Sequence, residues 1–265
     1  MTEIEEIREE LESIQSFVEV FHAKPRVHCI INEVAAPIAA NALLAVGAQP
    51  SMTNDPFEVT EFTESANALS INLGMLNNER RRSIRIAAKC ANTKSIPWVL
   101  DATLIERSHL RLVFCEELME HHPAVIRGNH DEINALCQHL DKDKTELCSS
   151  YNTVLITTGE IDWVYSARRS CQLKKLGHPW MSQVSGTGCT LSVLVAAMLT
   201  VFEDPFSAAL KTLYLYGIFG ERASKIANGP GTFWATFLDC LSNLKLETDA
   251  SPLETDAPGI SDAGD

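Results

Sequence analysis

The chain has 265 residues, of which 45% are hydrophobic and 22% charged, with a formal net charge of -13; this length and apolar content suffice for one large buried core or two small ones. The charge sits at the ends, because residues 1–20 hold seven glutamates against one arginine and residues 247–265 hold six acidic residues with no lysine or arginine. The middle is nearly neutral, without a clustered basic stripe to neutralise a phosphate backbone and without an apolar run long enough to span a bilayer, so nucleic acid as the main partner and membrane insertion are both excluded.

In chain order, Ile4, Ile7, Leu11, Ile14 and Phe17 or Val18 recur at three- and four-residue steps among glutamates, the period of an amphipathic helix that packs on the main body. This acidic start does not resemble a charged-then-apolar signal peptide. The eight cysteines lack C-x-x-C pairs or zinc spacing and read as free thiols, so a cytoplasmic protein is expected. Short β-favouring runs follow at 27–31, 68–73, 96–101, 124–127 and 153–157, separated by helical stretches. Several are continuously apolar, as strands are when helices cover both faces of a parallel sheet, and no linker divides them. The expected fold is therefore a single α/β domain over 1–246, its central sheet mostly parallel with helices on both faces. Residues 247–265 carry part of a Leu-Glu-Thr-Asp-Ala repeat in a stretch rich in Pro, Gly, Ser and acid, and are expected to form a disordered acidic tail.

Ligands of such sheets bind beyond the carboxyl ends of the strands. The polar residues there are Asn32, Asn72, Asp101, Arg127, Asn129 and Thr158. The sharpest local signal is Ser185, Gly186, Thr187, Gly188 and Cys189 before an apolar stretch that reads as a buried helix. Glycines let backbone N–H groups converge, and the helix N-terminus adds positive potential, so this loop can cradle a phosphate or developing negative charge. Cys189 falls in the first turn, where the dipole is expected to lower its pKa and fit it to act as a base or hydrogen-bond acceptor; its bland alternative is a small buried hydrophobe. His28 reads as a core histidine. Arg80, Arg81, Arg82 and Arg85 read as a solvated or acid-paired helix face.

Nine segments in order resemble the hydroxyethylthiazole kinases of the ribokinase-like superfamily. They lie at 27–32, 40–41, 47–52, 72–74, 126–132, 158–160, 177–179, 186–189 and 229–231. The resemblance implies a ribokinase-like fold. It also implies transfer of the ATP γ-phosphate to the hydroxyl of 4-methyl-5-(2-hydroxyethyl)thiazole in thiamine salvage, by a homotrimer with sites at subunit interfaces. It further implies thiazole contacts at Met52 and Gly186, with Asn32 and Asn41 as further substrate candidates, and ATP contacts at Arg127, Thr158 and Asn129. The resemblance likewise implies a catalytic loop of Gly186, Thr187, Gly188 and Cys189, with Cys189 facing the hydroxyl. Magnesium is implied by the chemistry, with Asp101 and Glu132 its expected carboxylates through water. Glu132 also fits a helix first turn capped by Asn129.

The resemblance breaks after Asp101, where Ala102, Thr103, Leu104, Ile105 and Glu106 replace the family's Pro-Val-Gly-x-Gly. Leu104 and Glu106 impose a Cβ where glycine is usual, and Glu106 is expected to bring negative charge towards ATP. Ile31, Met75 and Ser185 stand where the family has threonine. These changes keep two alternatives open: a catalytically impaired ligand-binding or regulatory homologue, and a kinase for another small alcohol.

Overall fold

A computed structural model of the chain describes residues 15–174, 176–243 and 260–262. The strands are β1 (Arg26–Ile30), β2 (Gln49–Ser51), β3 (Ala68–Asn72), β4 (Trp98–Asp101), β5 (Val125–Asn129), β6 (Val154–Thr158), β7 (Ile161–Tyr165), β8 (Ser170–Lys174) and β9 (Ile260–Asp262). The helices are α1 (Gln15–Ala23), α2 (Ala36–Ala45), α3 (Val59–Glu64), α4 (Asn78–Lys94), α5 (His109–Met119), α6 (His130–Leu140), α7 (Lys144–Tyr151), α8 (Trp180–Gln183), α9 (Thr187–Met198), α10 (Pro205–Ile226) and α11 (Pro230–Ser242).

The strands form one sheet in the order β2-β1-β3-β4-β5-β6-β7-β8-β9. Pairing is parallel from β2 to β6 and antiparallel from β6 to β9. The continuous apolar runs are explained by this layering. Val27, Ala68, Val99 and Val125 pack into a core with α2, α9, α10 and α11. Their neighbours Leu69, Ile71, Leu100 and Ile126 point to the opposite core with α4, α5, α6 and α7. Each fully buried Leu or Val in either core contributes about 1.5–3 kcal/mol through the area it removes from water.

The expected parallel strands are thus found, with ends shifted by a residue or two. The antiparallel edge was not expected. β7 returns from β6 after only Gly159 and Glu160, and so short a connection folds the chain into a hairpin rather than a crossover. β9 falls inside the segment 247–265. The unpaired backbone groups along the β8 edge are satisfied by a short extended segment. The rest of 247–265 and residues 1–14, where most of the expected amphipathic helix falls, lie outside the described residues. α1 covers the last positions of that expected stretch and buries Val18 and Val20.

Two features aim the fold at its site. The carboxyl ends of β1, β3, β4, β5 and β6 share one rim, and α9 starts beside it. α9 is buried at every position except Gly188, which anchors its N-terminus rigidly against β1, β3 and β4.

Candidate active site

Gly186 has φ +89 and caps α9, a left-handed conformation that glycine adopts without a Cβ penalty. Thr187, Gly188 and Cys189 form the first turn, and the Tyr216 hydroxyl donates to the Thr187 carbonyl at 2.8 Å. Arg127, from β5, lies against this turn: a Cβ on Gly188 would stand 2.5 Å from Arg127 Nη1. Its Nη2 donates to Thr158 Oγ1 at 2.8 Å, and Nη1 lies 3.6 Å from Asp101 Oδ1. Burial opposes the guanidinium charge, but Asp101, Glu132 and other nearby groups outweigh it and push the pKa up. Arg127 Nε is buried and has no hydrogen-bond partner.

Asp101, fully buried at the end of β4, accepts from Thr103 Oγ1 at 2.7 Å and from Ser192 Oγ at 3.1 Å. Glu132 closes a capping box with Asn129 at the start of α6, accepting from Asn129 N at 2.7 Å. Its other oxygen accepts from Leu104 N at 2.7 Å. Burial raises its pKa, against the lowering effect of those two N–H donors and Arg127. The bland capping role is therefore present, and the same carboxylate pins the loop after Asp101. Among the described residues no group of three or more His, Cys, Asp or Glu forms a metal cage.

Cys189 corrects the expectation of a lowered thiol pKa. Burial, and next Asp101, push it up to about 12, against the opposing pull of Arg127 and Asn32. Desolvation of a thiolate outweighs the helix N-terminus here. The thiol is neutral at physiological pH and receives N–H groups from Asn72 at 3.3 Å and Asn32 at 3.6 Å. Asn32 is itself fixed, accepting from Ala35 N at 3.0 Å.

Beside these groups lies a cavity of about 720 Å³, whose wall includes Thr103, Arg127, Asn129, Glu132, Thr158 and residues 186–189, with Asp101, Asn32 and Asn72 behind it and not in its lining. Its far side is made by Asp162 and by the 176–184 segment, which lies flat on α10. That close approach needs Gly220, where a Cβ would stand 2.4 Å from Met181 Sδ. Asn41 and Met52 are not brought into the cavity wall. Asn41 is exposed on α2, and Met52 follows β2 at the sheet margin with 37% exposure.

The altered loop keeps the backbone that glycine would supply: Leu104 has φ +57, and so does its counterpart in kind Met75, at φ +49. Glu106 does not face the cavity. It sits in a 3-10 turn and one of its oxygens pairs with Arg107 at 2.9 Å. His28 is a core histidine, bonded to Thr63 Oγ1 at 2.9 Å and Thr53 O at 3.0 Å. Arg85 pairs with Glu117 as a surface residue does. Arg80 departs from that face. It is 4% exposed and donates to the carbonyls of Ile30, Asn72, Gly74 and Met75 at the strand ends. Tyr216, Ser192 and Thr103 were not legible as site residues, whereas Asn72 had the signal of a polar strand end.

A family model for the hydroxyethylthiazole kinase family matches residues 17–247. A probable hydroxyethylthiazole kinase of Agrobacterium fabrum (strain C58) is 38% identical over 224 residues, covering 84% of this chain and 86% of that protein. The solved structure of a hydroxyethylthiazole kinase protein from Pyrococcus horikoshii OT3 superposes with a TM-score of 0.84 at 30% identity, covering 95% of this chain and 98% of that one. A ribokinase-like superfamily protein of Enterococcus faecalis V583, with a TM-score of 0.63 at 13% identity over 89% of this chain and 94% of its own, shares the fold alone.

Proposed function

This chain belongs to the hydroxyethylthiazole kinase family, and from that premise we propose that it transfers the γ-phosphate of ATP to the hydroxyl of 4-methyl-5-(2-hydroxyethyl)thiazole in thiamine salvage. The observation that carries the reading is the juxtaposition of Arg127 with the first turn of α9, where Gly188 leaves room for the guanidinium.

In phosphoryl transfer the reacting group carries spread negative charge, and the protein's work is positioning and charge stabilisation. Arg127 supplies a fixed positive charge, and Thr158 holds its plane. The N–H groups of Thr187, Gly188 and Cys189 supply helix N-terminal donors for the phosphoryl oxygens. Asn129 borders the cavity on the nucleotide side. Cys189 faces the alcohol as a neutral thiol, orienting the hydroxyl rather than removing its proton as a thiolate. Asn32 fixes that thiol from the acceptor side.

Asp101 and Glu132 are suited to Mg2+. All four of their oxygens accept a hydrogen bond from the protein. Glu132 borders the cavity, where a remaining lone pair would serve a metal-bound water, because Mg2+ gives up its waters reluctantly, and Asp101 would add its charge from behind. Bound there, the ion would neutralise charge on the transferring phosphoryl group.

Met52 and Asn41 remain substrate contacts in this reading only if a second copy supplies them, which agrees with a homotrimer having sites between subunits. Val34 at 57% and Phe57 at 85% exposure are apolar side chains that such an interface would cover. Sedimentation equilibrium measures this state. All eight cysteines are free, which fits the reducing cytoplasm, and no described helix is long and apolar enough to cross a membrane.

The test is thiazole-dependent ADP release by the purified chain with Mg-ATP. Release above an Arg127→Ala control supports the reading, and equal rates in both proteins contradict it.

A further inference from the structure

Asn72 stands at the end of β3, 1% exposed, with every hydrogen-bonding position of its amide in use. Nδ2 donates to Thr103 Oγ1 and to Cys189 Sγ. Oδ1 accepts from Asn32 Nδ2 at 3.0 Å and from Gly74 N at 2.9 Å. An amide has two N–H groups and two lone pairs, so nothing is left over.

The direction of this network is fixed by backbone N–H groups, which can only donate: Gly74 N marks Oδ1 as the acceptor end of the Asn72 amide, and Ala35 N does the same for Asn32. The Asn72 NH2 can then only donate, so Thr103 Oγ1 accepts from it and the hydroxyl hydrogen of Thr103 is left for Asp101 Oδ1. Thr103 thus ties down the NH2 whose other N–H meets Cys189, and the two amides together present N–H groups to the thiol. Thr103 is held for this task. Its carbonyl accepts from Arg111 Nη1 at 3.2 Å, and the next residue, Leu104, is tied to Glu132. It also borders the cavity.

The geometry points to Thr103 as a positioning residue of the phosphoryl-transfer site, whose hydroxyl joins the Asp101 carboxylate to Asn72 and so holds the Asn72 N–H against Cys189 at the acceptor side. This inference rests on the kinase reading above. Without the hydroxyl, one buried N–H of Asn72 is unpaired, and the amide is held only through its oxygen, by Gly74 N and Asn32 Nδ2.

Thr103→Val keeps the shape and removes the hydroxyl, and Thr103→Ser restores it. In the full chain with Mg-ATP and hydroxyethylthiazole, Thr103→Val is expected to lower kcat about tenfold, the loss of one buried hydrogen bond, with KM for ATP within about twofold. Thr103→Ser returns kcat to near the wild-type value. Equal kcat for wild type and Thr103→Val overturns the inference. So does an equal loss in both variants, which marks Thr103 as a packing residue only.

A second readout is independent of turnover. Peptide-resolved alkylation of Cys189 by iodoacetamide at pH 9–10 is expected to slow several-fold in Thr103→Val, because the thiolate-stabilising N–H of Asn72 is no longer held in place, and to return in Thr103→Ser. An equal or faster rate in Thr103→Val overturns the inference. If wild type fails to phosphorylate the thiazole while Cys189 alkylation still responds to Thr103, the kinase reading fails and the positioning network stands.

Discussion

Arg127 and residue 188 fit together only because residue 188 has no side chain: a Cβ there would lie 2.5 Å from Nη1 and 2.7 Å from Nη2 of the guanidinium. Alanine is the better helix former, and the end of an arginine side chain can move, so Gly188→Ala is expected to leave the melting temperature almost unchanged. The displaced guanidinium leaves Thr158 and the loop, and kcat falls by roughly 10²-fold, as when a charge-stabilising donor is removed. Steady-state kinetics beside a thermal melt measure both quantities. A fall in melting temperature that accounts for the lost activity would refute this relationship.

Arg80 holds the strand ends that carry Asn32 and Asn72. Arg80→Met leaves the carbonyls of Ile30, Asn72, Gly74 and Met75 without these donors. Unfolding free energy from urea titration is expected to drop by about 2–4 kcal/mol, the range for leaving buried polar groups unpaired. Arg80→Lys recovers only part, because an ammonium is a point charge and not a planar fork. A drop within experimental error for Arg80→Met would show that the carbonyls find other donors.

Asp162, on the cavity wall, accepts from Gly159 N at 2.9 Å. Burial raises its pKa to about 6, although Gly159, Arg127 and His130 pull it down. The folded pKa lies above the unfolded value of about 3.9, so the folded state favours the protonated carboxyl. This contribution to stability is full below about pH 4 and is lost as pH rises through about 6. Asp162→Asn keeps an acceptor for Gly159 and removes the titration. The stability of the variant relative to wild type is expected to rise between about pH 4 and 6 and to level off above that range. A difference that is flat with pH would contradict the burial argument.

The sequence made the parallel sheet legible because buried strands carry continuous apolar runs, and it exposed the rim of the site through polar residues at strand ends. Asn129 and Glu132 showed the spacing of a capping box, and the structure contains one. Three features needed the tertiary structure. Arg80 looks like its exposed neighbours in a basic run, yet it lies on the same helix face as Ser83, Ile84, Ala87 and Ala91, which are buried. The Cys189 pKa depends on burial and on Asp101, both distant in sequence, so the helix-dipole argument pointed the wrong way. The loop after Asp101 lacks the expected glycines, but Leu104 occupies the left-handed region at φ +57, a conformation that the hydrogen bond from its N–H to Glu132 helps to hold.

The central claim is phosphoryl transfer to the hydroxyethyl oxygen of the thiazole at the Arg127 and Gly188 site. It is tested most directly by incubating the purified full chain with Mg-ATP and hydroxyethylthiazole and following the thiazole by 31P NMR and mass spectrometry. The account predicts a phosphomonoester on the side-chain oxygen, formed by wild type and abolished or strongly reduced in Arg127→Ala. Absence of that ester from wild type under conditions where calorimetry shows both ligands bound would contradict it.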